Sequence, residues 1–287
     1  MDIEIDRYTK VVLYVIDGAN GLPSSDPFSM EMLLNIKLNN CTSIEIRKAH
    51  MNSNADLPKL NVNGTTYSHP EQIRKIIERI TRNKINQQYA KLELSRLSAH
   101  FAHAERYLAT AALMHYWGVE ENTALSTNTY AQGMWFPFGI LYSRNMKKKM
   151  TETIQLIVGD DDLKVFIDRK YLELDAYFKD LSQMLSNKKY LLGDHPTTLD
   201  LYICSHLAPA FRLQYPNTTF MNVVNSNNNI AEYVRNFLSK HAPLKEVPAK
   251  ENPSDNDCAS VFLLLTAGFT AVGVMTLFAW SHGLIRR

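Results

Sequence analysis

Gly193-Asp194-His195-Pro196-Thr197-Thr198-Leu199-Asp200 runs directly into Leu201-Tyr202-Ile203-Cys204-Ser205-His206-Leu207-Ala208-Pro209. Thr197 is placed to cap a helix, because its hydroxyl can accept from a backbone N–H in the first helical turn. Asp200, three residues on, can return a bond to the cap amide. This is a capping box with Asp in the position more often held by Glu. The run that follows holds no Lys, Arg, Asp or Glu, so the helix it opens is expected to enter a core. Thr197 and Asp200 therefore read as folding residues, with no part in chemistry.

Working back from this box, the pattern stays helical as far as about Lys84. A long helix is expected from Asp162 to Leu185, another across residues 146–159 (MKKKMTETIQLIVG) and a third across residues 87–117 (QQYAKLELSRLSAHFAHAERYLATAALMHYW). Beyond the box, Asn222 to Asn229 reads as a polar loop.

The first eighty residues have a different period. Val11 to Ile16 is an apolar strand, followed by a turn-rich loop, residues 17–26 (DGANGLPSSD). Asp26 ahead of Pro27 starts a helix to about Leu38, an N-cap carboxylate before a proline in the first turn. A short strand fits TSIEIR, where Ile44 and Ile46 alternate with polar neighbours. LPKLNVNGTTYS reads as a hairpin turning at Asn63-Gly64, and a helix from Pro70 to about Ile80 places Ile73, Ile76, Ile77 and Ile80 on one face. The order strand, helix, strand, strand, strand, helix resembles a thioredoxin-like half whose first crossover has lost or shortened its second helix. An α+β unit over residues 1–82 followed by an all-α unit over 83–243 is the architecture of glutathione transferases.

Thirty-one Lys plus Arg against 29 Asp plus Glu leave no broad basic face, which argues against a nucleic-acid partner. Cys41, Cys204 and Cys258 are far apart and form no Cys-x-x-Cys pair, so neither a disulfide framework nor a zinc knuckle is suggested. The N-terminus is acidic ahead of a short apolar run, unlike a signal peptide or a matrix transit peptide.

A polar, proline-bearing linker over residues 244–258 leads to Ala259–Trp280, 22 positions without a charge or a proline. At 1.5 Å rise per residue this is about 33 Å of helix, close to the ~30 Å of a bilayer's hydrocarbon. It reads as a transmembrane tail anchor, with Trp280 at the interface and Arg286 and Arg287 of the basic tail, residues 281–287, reaching headgroup phosphates.

Candidate chemistry in the body is sparse. Pro58 stands immediately before a strand, where thioredoxin-like folds carry a cis-proline that sets register or lets backbone meet a peptide or glutathione. A glutathione transferase places its catalytic hydroxyl or thiol near the first helix start, and Ser24 and Ser25 are what this chain offers there. Where that family shows Glu-Ser to hold the glutathione γ-glutamyl group, this chain has Ser68-His69, without the carboxylate. His100 and His103, with Glu105 nearby, supply too few ligands for a metal site. Lys147, Lys148 and Lys149, with Arg144 before them, suit a solvated helix end, anionic headgroups or an acidic partner. No catalytic residue, cofactor-binding residue or metal ligand is assigned.

Four pieces taken together resemble the metaxin family, the membrane-anchored, glutathione transferase-like proteins of the mitochondrial outer membrane: GLPSSDPFSMEMLL, ADLPKLNVNG, YAQGMWFPFGILYSRNMKKKM and KKYLLGDHPTTLDLYICSHLAP. Phe136-Pro137-Phe138 and the Gly-Asp-x-Pro-Thr piece are the most specific, and the terminal anchor matches the branch that carries its own transmembrane helix. The resemblance implies a non-enzymatic scaffold held in outer-membrane lipid with its body in the cytosol. It also implies pairing with a second metaxin and work alongside the β-barrel assembly core of the sorting and assembly machinery in protein import. Family members connect further to cristae-organising complexes and to motor adaptors for mitochondrial transport along microtubules. The alternative, from fold alone, is a membrane-tethered glutathione-dependent transferase or peroxidase.

Overall fold

A computed structural model describes residues 10–49 and 56–243. They fall in one unit. The anchor at Ala259–Trp280, the linker before it and Arg286 and Arg287 lie outside the described residues, among which no helix is long and apolar enough to cross a membrane.

Four strands, β1 (Val11–Val15), β2 (Ile44–Lys48), β3 (Lys59–Val62) and β4 (Thr65–Tyr67), form one sheet in the order β2-β1-β3-β4. β1 runs parallel to β2 and antiparallel to β3. Asn63 and Gly64 both take positive φ at the β3–β4 turn, as a tight primed turn requires, and Gly64 does so without the steric cost a Cβ would carry. α1 (Pro27–Leu38) and α2 (Pro70–Thr81) cover one face. Val11, Leu13, Leu60 and Val62 pack there with Met32, Ile36, Ile73 and Ile77. Ile44 joins this core, whereas Ile46, expected on the same buried face, is exposed on edge strand β2.

Beyond a 3-10 turn at Lys84–Asn86 the chain is helical. α3 (Lys91–His103) continues through a π-helical stretch, Ala104–Ala109, then α4 (Thr110–Leu113) and a second π stretch, Met114–Gly118. α5 (Glu120–Gln132), α6 (Phe138–Val158), α7 (Leu163–Leu185), α8 (Thr198–Arg212), α9 (Thr219–Ser226) and α10 (Asn228–His241) follow. Asp162 caps α7 by accepting from the Val165 N–H, 3.0 Å away. The expected loop at Asn222–Asn229 is instead the end of α9 and the start of α10, broken only at Asn227. Phe220 and Val224 lie in the core four residues apart, and Ile230 and Ala231 begin the next apolar face. Helical spacing of those four residues outweighs the asparagines between them.

α8 is the central helix: every residue from Thr198 to Ala210 is buried. Burying a Leu or Ile contributes about 1.5–3 kcal/mol relative to leaving it exposed. The capping box thus starts the element around which the helical unit assembles.

Candidate functional site

β1 leads the chain to Ile16, and residues 17–26 turn it into α1. Both serines of this turn are buried. Ser24 donates to the Ile16 carbonyl at 2.9 Å, and its oxygen accepts from the Asp26 N–H at 3.2 Å. The Ser25 hydroxyl is within donating distance of the Asp17 carbonyl (3.1 Å) and the Thr129 carbonyl (3.3 Å). The hydroxyls standing where a transferase keeps its thiolate-stabilising group are therefore committed to backbone carbonyls. Asp26 caps α1, one oxygen accepting from the Ser29 N–H at 2.7 Å and the other from the Tyr130 hydroxyl at 3.3 Å. Burial pushes its carboxyl above the ordinary range, while these donors pull the other way.

Beside this helix start lies a cavity of about 340 Å³, walled by the start of α1 and by side chains from the helical unit, Leu113, Tyr116, Met150, Pro209 and Leu213 among them. The volume falls in the range of small-molecule sites. The two π stretches belong to the helix that forms one wall, and such turns recur at functional sites. His206, on α8, also lines the cavity. Its Nδ1 is 2.8 Å from the Tyr202 carbonyl oxygen, an acceptor only, so Nδ1 carries the hydrogen and Nε2 is a bare acceptor. That Nε2 is buried with no partner among the described residues. Burial holds the imidazole pKa down to about 4, so the ring is neutral near pH 7.

The other sequence-selected residues are placed elsewhere. Pro58 is buried just before β3, and the Leu57–Pro58 peptide is cis. Pro58 does not line the cavity. Ser68 and His69 are exposed at the start of α2, where His69 makes no side-chain cap. His100 and His103 lie with ring centroids 6.4 Å apart, and Glu105 is engaged by Arg74 at 3.0 Å. No cluster suited to a metal ion occurs among the described residues. Lys149 pairs with Asp56 at 2.9 Å and Lys148 approaches Glu152 at 3.9 Å.

Thr197 and Asp200 form the expected box. The Asp200 carboxylate accepts from the Thr197 N–H (2.7 Å) and hydroxyl (2.5 Å), and also from the Leu191 N–H (3.1 Å) and the Tyr233 hydroxyl (2.5 Å). Four donors on one buried carboxylate leave nothing for a ligand.

Sequence reasoning missed a buried ion pair. Arg74 of α2 binds Glu31 of α1 through Nε at 2.6 Å and a terminal nitrogen at 3.2 Å, with its guanidinium over the rings of Phe101 and Tyr202. Glu31 and Arg74 are 43 positions apart, and nothing local marks either as buried.

Comparison with known proteins fits this geometry. Residues 174–237 match the family model described as glutathione S-transferase, C-terminal domain. The chain is 24% identical over 252 residues to the metaxin-1 homolog of Caenorhabditis briggsae, a match covering 85% of this chain and 78% of the relative. It is also 24% identical over 242 residues to the metaxin-1 homolog of Drosophila melanogaster, covering 78% and 70% respectively. Among solved structures, glutathione S-transferase I from mais, in complex with an atrazine glutathione conjugate, superposes with a TM-score of 0.50 at 13% identity. That match covers 84% of this chain and all of the other, and it establishes the fold as glutathione transferase-like.

Proposed function

The chain belongs to the metaxin family, and from that premise we propose that it is a tail-anchored scaffold of the mitochondrial outer membrane, with its folded body in the cytosol. Its partners on this reading are a second metaxin and the β-barrel assembly core of the sorting and assembly machinery, with cristae-organising and motor-adaptor contacts as further links. Ala259–Trp280 supplies the anchor and Arg286 and Arg287 its headgroup contacts. The observation that carries the non-enzymatic part is the commitment of Ser24 and Ser25 to backbone carbonyls, joined to the absence of a carboxylate at Ser68-His69.

Proximity labelling from a tagged N-terminus in intact cells tests this, with a control chain ending before Ala259. Enrichment of a second metaxin and the barrel-assembly machinery, lost without the anchor, is the expected result. Labelling confined to the endoplasmic reticulum or the cytosol defeats the proposal.

One observation favours the alternative, a membrane-tethered glutathione-dependent enzyme: the cavity beside α1 is large enough for a small substrate. Calorimetry against millimolar glutathione decides, and no heat of binding is expected.

A further inference from the structure

Two groups of large apolar side chains stand exposed on the described body. In the first, at the turn into α6, Trp135 is 60% and Phe136 69% exposed, with Ile140 and Leu141 on the first turn of the helix. In the second, around the α6–α7 junction, Leu156 is 85%, Val165 63% and Leu172 74% exposed. Single exposed apolar residues need no explanation, but contiguous groups mark surfaces that something covers.

Charge separates the two. Along α6, residues three, four and seven apart share a face, so Ile140 and Leu141 are followed on the exposed side by Arg144 and Lys148, with Lys147 on its flank. Ile154 and Gly139, on the opposite side, are buried. Acidic residues meet this rim only at its far end, Glu152 at 3.9 Å from Lys148 and Asp56 at 2.9 Å from the adjacent Lys149. The second group has acidic neighbours, Asp160, Asp161 and Asp162 in the junction and Asp168 in α7.

From this pairing we infer that the Trp135–Leu141 surface docks on an anionic lipid bilayer. Trp135, Phe136, Ile140 and Leu141 enter the headgroup–acyl boundary, while Arg144, Lys147 and Lys148 meet lipid phosphates. An aromatic and aliphatic wedge bordered by basic residues is what an interfacial segment needs: apolar area to bury and cations to hold the negative surface. Around Leu156 and Leu172 acidic residues are interleaved with the basic ones and pair with them, Asp161 with Arg169 and Asp175 with Lys179, so that group lacks the uninterrupted cationic rim of the first. The inference deepens the membrane reading above. A body tethered by a single helix could hang free, whereas this contact lays one defined face on the membrane.

The test uses the full chain in phosphatidylcholine vesicles, with or without about one-fifth anionic lipid. An environment-sensitive fluorophore is attached at Phe136→Cys in a Cys41→Ser, Cys258→Ser background, Cys204 being fully buried. Leu172→Cys serves as the control site. Blue-shifted emission from position 136 on anionic vesicles only, with no change at 172, is the expected result. Replacing Arg144, Lys147 and Lys148 by Gln should lower the docked-to-undocked ratio about fivefold per charge.

A chain that resists carbonate extraction while its position-136 label stays in water overturns the docking and leaves the anchor reading intact. A chain that floats with anionic vesicles, is released by carbonate and loses binding in the Gln variants supports the docking and removes the anchor. A blue shift that rises with protein concentration and appears equally on neutral vesicles assigns the surface to a protein contact, and overturns the lipid proposal.

Discussion

Two helix starts in this protein carry a buried aspartate, and they do different things with it. At α8, Asp200 accepts from four donors supplied by three residues, Leu191, Thr197 and Tyr233, and its site is closed. At α1, Asp26 accepts from two, the Ser29 amide and the Tyr130 hydroxyl, and borders a cavity of about 340 Å³. Both carboxyls are raised by burial. The difference is saturation: a carboxylate whose lone pairs are filled by the fold holds the fold together, and one only partly filled keeps capacity for something else.

The largest effect that would sharpen this contrast is expected from Asp200→Ala. It removes the acceptor for a cap amide, the Leu191 amide and two buried hydroxyls, Thr197 and Tyr233, at about 1–3 kcal/mol for each buried group left unsatisfied. A loss of about 4 kcal/mol or more in urea unfolding is expected, a large share of the roughly 5–15 kcal/mol that holds an ordinary domain folded. A loss below about 1 kcal/mol would break the comparison.

The next effect concerns His206, which belongs to the helix that Asp200 caps and lines the cavity beside Asp26. Burial holds both His206 and His115 down to about 4. Between pH 6.5 and about 4 the unfolded chain therefore binds protons that the folded chain refuses. Each histidine should lower stability by about 1.4 kcal/mol per pH unit as pH falls through that window. The raised carboxyls act in the opposite sense, favouring the fold as they protonate. His206→Phe keeps a ring against Phe28 and Tyr202, whose centroids lie 4.9 and 4.1 Å away. It should flatten the pH slope of the unfolding free energy by about that one-histidine share. An unchanged slope would mean that the ring takes up its proton as readily in the folded state as in the unfolded chain.

How much of this was legible depends on sequence distance. The capping box and the Asp26 cap were readable because helix starts are local, with acceptor and donor within three residues. The order of strands and helices along the first eighty residues, the Asn63-Gly64 turn and the position of Pro58 followed from local pattern as well. The Tyr233–Asp200 and Arg74–Glu31 contacts were not readable, since partners 33 and 43 residues apart are joined only by the tertiary fold. In Asn222–Asn229 the asparagine-rich composition points to a loop, whereas the spacing of Phe220, Val224 and Ile230 along α9 and α10 makes the segment helical. The exposure of Phe136 was equally hidden: the Phe-Pro-Phe piece was visible as a motif, but its outward direction is set by packing of α5 against α6.

A smaller effect separates the two helix starts at the level of one cap. Asp26→Ala should cost about 1–2 kcal/mol, an ordinary N-cap loss, because only the Ser29 amide and the Tyr130 hydroxyl lose an acceptor and the cavity can admit water to them. Thermal unfolding of this variant beside Asp200→Ala measures the difference directly, and equal losses would remove the distinction between a saturated and an open site.

The smallest effect bears most on function. In a transferase, the hydroxyl near the start of the first helix is the group that stabilises the glutathione thiolate, so removing it acts on the chemistry. Here the Ser25 hydroxyl lies within donating distance of the Asp17 and Thr129 carbonyls, one from the loop after β1 and one from α5. Ser25→Ala should therefore cost about 1 kcal/mol of stability and change no rate of glutathione conjugation, measured with an aryl halide acceptor against a blank without protein. A conjugation rate above the blank in the parent chain, lost in Ser25→Ala, would move this hydroxyl from the fold to the chemistry. The α1 helix start would then be an active site, and its difference from the α8 box would be one of kind and not of degree.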